Sequence, residues 1–247
     1  MRGRKLVSNF YPHLDDNDNS AGERLVETVY LQLHQDIIFG AFEPGSKLKF
    51  SDLRQRYEAS DNTIREALGR LVAEKLVDAG GQRGASVVSI SYEGLHDITE
   101  TRILLECQAA RLSLDVADLH WEGEVMATHY KLAKAEELTY ENHEKYRNLL
   151  EQYDCDFHRT IISGCQSQWI LRFHAVMYNH MLRYRSEALK VIDDQQRDVM
   201  LERAQKEHLM IRDVALEKDA DKLVTLLQQH VRNGKEFAQQ ALNLANS

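Results

Sequence analysis

The sequence predicts a mainly α fold in two parts, an N-terminal winged helix-turn-helix and a C-terminal all-α bundle of six or seven helices. Three observations carry this. Both prolines, Pro12 and Pro44, lie in the first fifth of the chain, and residues 95–247 hold only three glycines, Gly123, Gly164 and Gly234. Such a long stretch with so few breakers reads as helices joined by short loops. Between Leu76-Val77 and Ala85-Ser86-Val87-Val88-Ser89-Ile90 lies Gly80-Gly81-Gln82-Arg83-Gly84, the signature of a β-hairpin. Finally, 247 residues exceed the usual single-domain size.

Residues 1–20, with Asp15-Asp16-Asn17-Asp18-Asn19-Ser20, read as a flexible arm. Residues 21–90 form the first domain. Val26, Val29, Tyr30, Leu33 and Ile37 recur at helical spacing, and Gly40 supplies a stop. Ser51 is the expected N-cap of a second helix over 52–58. Ser60 or Asp61 caps a third, with Ile64, Leu68, Leu71 and Val72 as its apolar stripe. The link Glu58-Ala59-Ser60-Asp61 has the length of a helix-turn-helix turn. From residue 91 to 247 the pattern predicts helices near 95–118, 122–140, 143–163, 167–190, 195–217 and 219–243.

Composition bounds the function. Hydrophobic residues make up 43% and charged residues 28%, as in a soluble globular protein. No apolar run approaches the ~18–20 residues that span a bilayer, and no signal-peptide stretch follows the basic start, so a cytoplasmic protein with no membrane partner is expected. Cys107, Cys155 and Cys165 show no pairing pattern and read as reduced, buried thiols. The net charge of -8 disfavours nucleic acid only until its distribution is considered. Residues 1–90 carry 12 Lys/Arg against 13 Asp/Glu, and Lys47–Arg83 carries 8 against 6, so most of the acidity lies in the second part.

Several segments carry a family likeness: Ile37-Ile38-Phe39-Gly40 with Pro44-Gly45-Ser46-Lys47-Leu48, then Ile64-Arg65-Glu66-Ala67-Leu68-Gly69-Arg70-Leu71, then Leu76-Val77 and Arg83-Gly84 with Val87. In order and spacing the sequence resembles the GntR family of transcriptional regulators, and residues 95–240 resemble the FCD-type ligand-sensing domain of its FadR branch. The resemblance implies a homodimer on a palindromic double-stranded operator, acting as a repressor released or engaged by a small carboxylate. A two-fold pair of winged domains spaced by about one helical turn, ~34 Å, reads such a palindrome.

The DNA-reading stretch departs from the family. The usual Ser-Arg-Thr-Pro-Val-Arg is Ser60-Asp61-Asn62-Thr63-Ile64-Arg65 here, keeping only the second arginine. Asp61 is expected to cap the helix or to accept from a cytosine amine. Arg65, Asn62 and Thr63 are the candidates for the groove, and Lys47, Lys49, Arg54, Arg56 and Arg70 for phosphates. Arg83 and Gly84 form the wing tip, and Arg2-Gly3-Arg4-Lys5 is a further phosphate or minor-groove candidate.

A second constellation is Asp154-Cys155-Asp156-Phe157-His158, followed by Glu207-His208 and Gln229-His230. Asp154 and His158 are four apart and share a helix face, and inward-facing residues of three helices can converge in a bundle. One carboxylate and three imidazoles suit a divalent ion, Zn²⁺ foremost, with Ni²⁺, Mn²⁺ or Fe²⁺ also compatible. Asp156, two residues from His158, points elsewhere. The resemblance implies the same four ligands, with positions left for water or an effector carboxylate. It also implies that Arg102 faces the ligand cavity, where a guanidinium can pair with a carboxylate; a salt bridge to Glu106 is the competing role. Arg183, Arg185 and Arg212 are further ligand candidates. His13, His34, His120, His129 and His143 read as structural. Gly164-Cys165 resembles a subgroup responding to short dicarboxylates. Two other functions stand beside the sensor: a regulator for which the ion itself is the signal, and a His/Asp metalloenzyme. Against the latter, no general base or nucleophile motif adjoins the site.

Overall fold

The computed structural model describes residues 21–80 and 85–243. The N-terminal arm, Arg83 and Gly84 lie outside the described residues. Among those described there are nine helices and three short strands, in the order α1 (Ala21–Ile38), β1 (Lys47–Leu48), α2 (Phe50–Tyr57), α3 (Asp61–Ala73), β2 (Val77–Ala79), β3 (Ala85–Val87), α4 (Tyr92–Leu114), α5 (Leu119–Glu141), α6 (His143–Ile161), α7 (Gln168–Ala188), α8 (Asp194–Glu217) and α9 (Ala220–Ala241).

The first three helices and the sheet build the winged helix-turn-helix. The predicted hairpin is present, with Val77 opposite Val87, and β1 adds a third antiparallel strand, giving the order β1-β3-β2. Glycine is required where α1 gives way to β1: Gly40 and Gly45 have φ of 72° and 79°, a region that side chains disfavour. The third helix starts as expected, Ser60 Oγ accepting from the Thr63 amide. The second does not. Its N-cap is Lys49 rather than Ser51, and the Ser51 hydroxyl bonds the neighbouring Asp52 carboxylate instead. Val29, Leu33, Ile37, Leu48, Leu53, Ile64, Leu68, Leu71, Leu76 and Val87 form one buried core.

The bundle has the six predicted helices. A polar side chain caps each at its N-terminus: Ser91, Asp118, Asn142, Ser167, Asp193 and Asp219 accept from the amide three residues on, and Asp193 with Gln196 makes a full capping box. Their apolar faces bury Ile103, Trp121, Val125, Leu132, Phe157, Ile161, Ile211, Leu223 and Leu227. All three cysteines are buried and free.

The two parts meet along α7. Tyr178 and Leu182, with Cys155 of α6, extend the core of the winged domain. Around them, His180 Nε2 donates to the Glu74 carbonyl at 2.8 Å, Arg183 donates to the Val88 carbonyl, and the Tyr184 hydroxyl accepts from the Ser91 amide at 3.2 Å. Lys190 Nζ, just past the helix, reaches the Gly40 carbonyl at 2.8 Å. Among the described residues no helix is long and apolar enough to cross a membrane.

Candidate functional site

On the winged domain, α3 presents Asn62 and Arg65 to solvent. The Arg65 guanidinium lies over the Phe50 ring, 5.3 Å from its centroid, which restrains it beside the start of α2. Thr63 differs from expectation. It is buried, and its hydroxyl is 3.0 Å from that of Ser60, so it belongs to the helix cap rather than to the groove face. Asp61 neither caps the helix nor stands alone, because Arg54 Nε lies 3.3 Å from its carboxylate. Arg56 is held by Asp36 at 2.8 Å, and Arg70 by Glu27 and Glu66, so these three arginines, expected at phosphates, are each paired with an acid. Lys47 and Lys49 are exposed and make no ion pair among the described residues.

In the bundle, α6, α8 and α9 bring His158, His208 and His230 together, one ring nitrogen of each lying within 4.8 Å of the other two. Each imidazole is fixed from behind. His158 Nδ1 donates to Glu106 of α4 at 2.7 Å, His208 Nδ1 to Glu136 of α5 at 2.8 Å, and His230 Nδ1 to Glu207 of α8 at 2.7 Å. A carboxylate on one ring nitrogen fixes the tautomer and raises the basicity of the other, the arrangement found behind metal-ligating histidines. The Nε2 atom of His158 is buried with no hydrogen-bond partner, and that of His208 is buried with only the Asp154 carboxylate before it. An orphaned, buried imidazole nitrogen is costly unless something occupies the space before it. The residues therefore fit a divalent ion. Asp154 stands beside them, its Oδ1 3.3 Å from His208 Nε2, while its Oδ2 accepts from Tyr178 and from Arg185 at 3.1 Å.

The charges follow from these contacts. Burial lowers His158, and it lowers His230 to about 4. Burial opposes the charge on His208 as well, but hydrogen bonds to Asp154 and Glu136 outweigh it and lift this imidazole to about 9. Asp154 resists burial in the same way: Arg185, His208 and His158 hold it well below the usual carboxylate range. Two of the three histidines thus stay neutral with a lone pair on the ring, while His208, between two carboxylates, keeps its proton.

The cluster borders a cavity of about 490 Å³, walled by residues that include Arg102, Asp154, Tyr178, Arg185, His208 and His230. Arg102 makes the expected salt bridge to Glu106 and also lines the cavity. Nε donates to Glu106 at 2.7 Å, while Nη2 is buried and unpartnered. Arg185 also lines the cavity, bonded to Glu151 and Asp154. Arg183 and Arg212 do not. Arg183 turns to the Val88 carbonyl, and Arg212 pairs with Asp213 and approaches His129 at 3.3 Å. Sequence reasoning missed Glu106, Glu136 and Glu207 as anchors, and Tyr178 as the partner of Asp154. Glu207 adjoins His208 in the chain and was open to notice; Glu136, 72 residues away from its histidine, was not.

Similar proteins point the same way. Residues 25–87 match the model of bacterial regulatory proteins of the gntR family, and residues 97–233 match the FCD domain. The chain is 37% identical over 216 residues to the HTH-type transcriptional regulator BphR of Paraburkholderia xenovorans, covering 87% of this chain and 86% of the relative. It is 31% identical to the HTH-type transcriptional repressor GlaR of Escherichia coli, covering 86% and 95%. The fold is shared with solved structures of E. coli McbR/YncC (TM-score 0.73, 18% identity, 89% and 99% covered) and of a GntR regulator from Rhodococcus sp. RHA1 (0.65, 22%, 90% and 99%). These are regulators and not enzymes, so the metalloenzyme alternative falls. With both domains matched in order and a relative at 37% identity across most of its length, the chain belongs to the GntR family of DNA-binding transcriptional regulators, with an FCD sensor domain.

Proposed function

We propose that this regulator is a repressor, dimeric on a palindromic operator, whose DNA affinity is set by a small carboxylate bound at a divalent ion in the helical domain. The observation that carries the reading is the convergence of three imidazoles, each anchored at Nδ1 by a carboxylate, two of them, His208 and His230, on the wall of a cavity. His158, His208 and His230 would hold the ion, with Asp154 as the fourth candidate ligand after its carboxylate turns from Tyr178. The ion supplies Lewis acidity toward a carboxylate oxygen. Arg102 Nη2, buried and unpartnered, supplies a charge-assisted hydrogen bond to the same group.

Helix α7 supports a route for the signal. Tyr178 and Arg185 face the cavity, whereas His180, Arg183 and Tyr184 hold the winged domain. A ligand that displaces Asp154 from Tyr178 and Arg185 acts on the helix that also grips the linker at Val88 and Ser91. Coupling of ~1–3 kcal/mol between the two sites would change operator affinity about 5- to 150-fold.

The test is to quantify metal in the purified protein and titrate upstream DNA with and without carboxylates, comparing wild type with His208→Ala. The reading requires about one ion per chain, its loss in the variant, and a metabolite response in the wild type alone. Metal that changes DNA binding with no metabolite would make the ion itself the signal. A metal-free wild type would remove the site.

A further inference from the structure

A second cavity, also of about 490 Å³, is walled by α6 and α7 with Thr128 of α5, and among the described residues it shares only Tyr178 with the first. We propose that it is a further binding site, for a neutral polyhydroxyl compound of the sugar or polyol class. Its volume falls in the range of small-molecule sites, ~300–1,000 Å³. The inference does not depend on what the first cavity holds.

The chemistry of the wall selects the ligand. Thr128, Thr160 of α6 and Ser163 just past it each spend the hydroxyl hydrogen on a backbone carbonyl, Thr128 on Glu124, Thr160 on Asp156 and Ser163 on Thr160, all at 2.8 Å. A hydroxyl used in this way keeps only its oxygen lone pairs for a ligand. His174 of α7 adds a fourth acceptor. It is 2% exposed, and its Nε2 donates to Glu106 at 3.1 Å, which in the neutral ring leaves Nδ1 with a lone pair that no described residue meets. Such a wall calls for a molecule that brings donors.

Charge narrows the choice. Among the described residues that line the cavity, one carboxylate, Asp156, is balanced by one guanidinium, Arg159. An anion brings acceptors to a wall already rich in them. An ammonium brings donors, but with a charge that Arg159 opposes. The hydroxyls of a neutral polyol donate to the Thr128, Thr160, Ser163 and His174 acceptors and accept from the Gln168 amide, while Ile162, Leu171 and the Tyr178 ring offer apolar surface to its C–H faces. The two cavities are also joined chemically. His174 shares the Glu106 carboxylate with His158 and Arg102, so a ligand bonded to His174 acts on the group that positions the histidine cluster.

The experiment is calorimetric titration of the full-length protein with glucose, sorbitol and myo-inositol as neutral probes, and with glucuronate and glucosamine as anionic and cationic ones. At least one neutral probe should bind, and more tightly than either charged probe. Thr128→Val keeps the shape of the side chain and removes its acceptor, so it should weaken that probe about two- to tenfold. Leu171→Trp fills the cavity and should abolish binding, with circular dichroism and melting checking that both variants fold. Val199→Trp, in the wall of the first cavity, should leave the affinity unchanged. No binding by any neutral probe, tighter binding of a charged one, or full affinity in a folded Thr128→Val would overturn the assignment. So would loss of binding in Val199→Trp together with retention in Leu171→Trp, which would move the polyol to the first cavity.

Discussion

Arg65 shows how a single residue's surroundings decide its use. Among the arginines near α3 it is the one stacked on a ring, Phe50, rather than held by a carboxylate, so its donors remain available to a base edge or a phosphate. Arg65→Ala should weaken binding to the operator by about 1–3 kcal/mol, read as fluorescence anisotropy with labelled DNA at fixed salt; a loss under twofold would remove it from the interface. The same scale explains what the sequence could and could not reveal. Asp154 and His158 were legible because four residues on a helix share a face. The anchors Glu106 and Glu136 were not, because their pairing spans 52 and 72 residues and leaves no local spacing. Thr63 was misread for the opposite reason: a threonine three residues after Ser60 sits where the cap closes, and its hydroxyl is used there.

Among elements, α7 carries the most. Arg183 and Arg185 look equivalent in sequence, yet two residues on a helix are separated by ~200° of turn, and they face different domains. Arg183, buried and with its charge disfavoured by that burial, holds the Val88 carbonyl; Arg185 lines the cavity. Arg183→Ala should therefore leave carboxylate binding within about twofold, measured by calorimetry, while reducing the change in operator affinity that the ligand produces, since typical coupling energies of ~1–3 kcal/mol are carried by such contacts. An unchanged response would mean that the signal leaves the cavity by another element. The helices themselves were legible throughout the bundle, whose bounds fall within a few residues of the pattern in the sequence. Strand β1 was not, because two residues cannot display an alternation.

For the molecule as a whole, the seam between the domains makes stability depend on acid. His34 of α1 is buried, and burial, together with nearby His180, lowers its imidazole to about 3 from 6.5. Between those values the unfolded chain takes up a proton that the folded one refuses, so this contribution is intact above pH 6.5 and is lost as the pH falls. At pH 5 the loss is about 2 kcal/mol. Comparing denaturant midpoints of wild type and His34→Gln at pH 7 and pH 5 checks this; the variant should show the shallower dependence, and equal slopes would contradict it.

The two-sidedness of α7 also bears on how such a regulator changes over generations. The contacts that grip the winged domain, His180 to Glu74, Arg183 to Val88 and Tyr184 to Ser91, end on backbone atoms, which every substitution of those partners preserves. The cavity wall is made of side chains, each replaceable by itself. If the cavity is the effector site as proposed, its walls can be exchanged one residue at a time while the grip on the winged domain is kept, so a lineage can acquire a new ligand without having to learn its operator again.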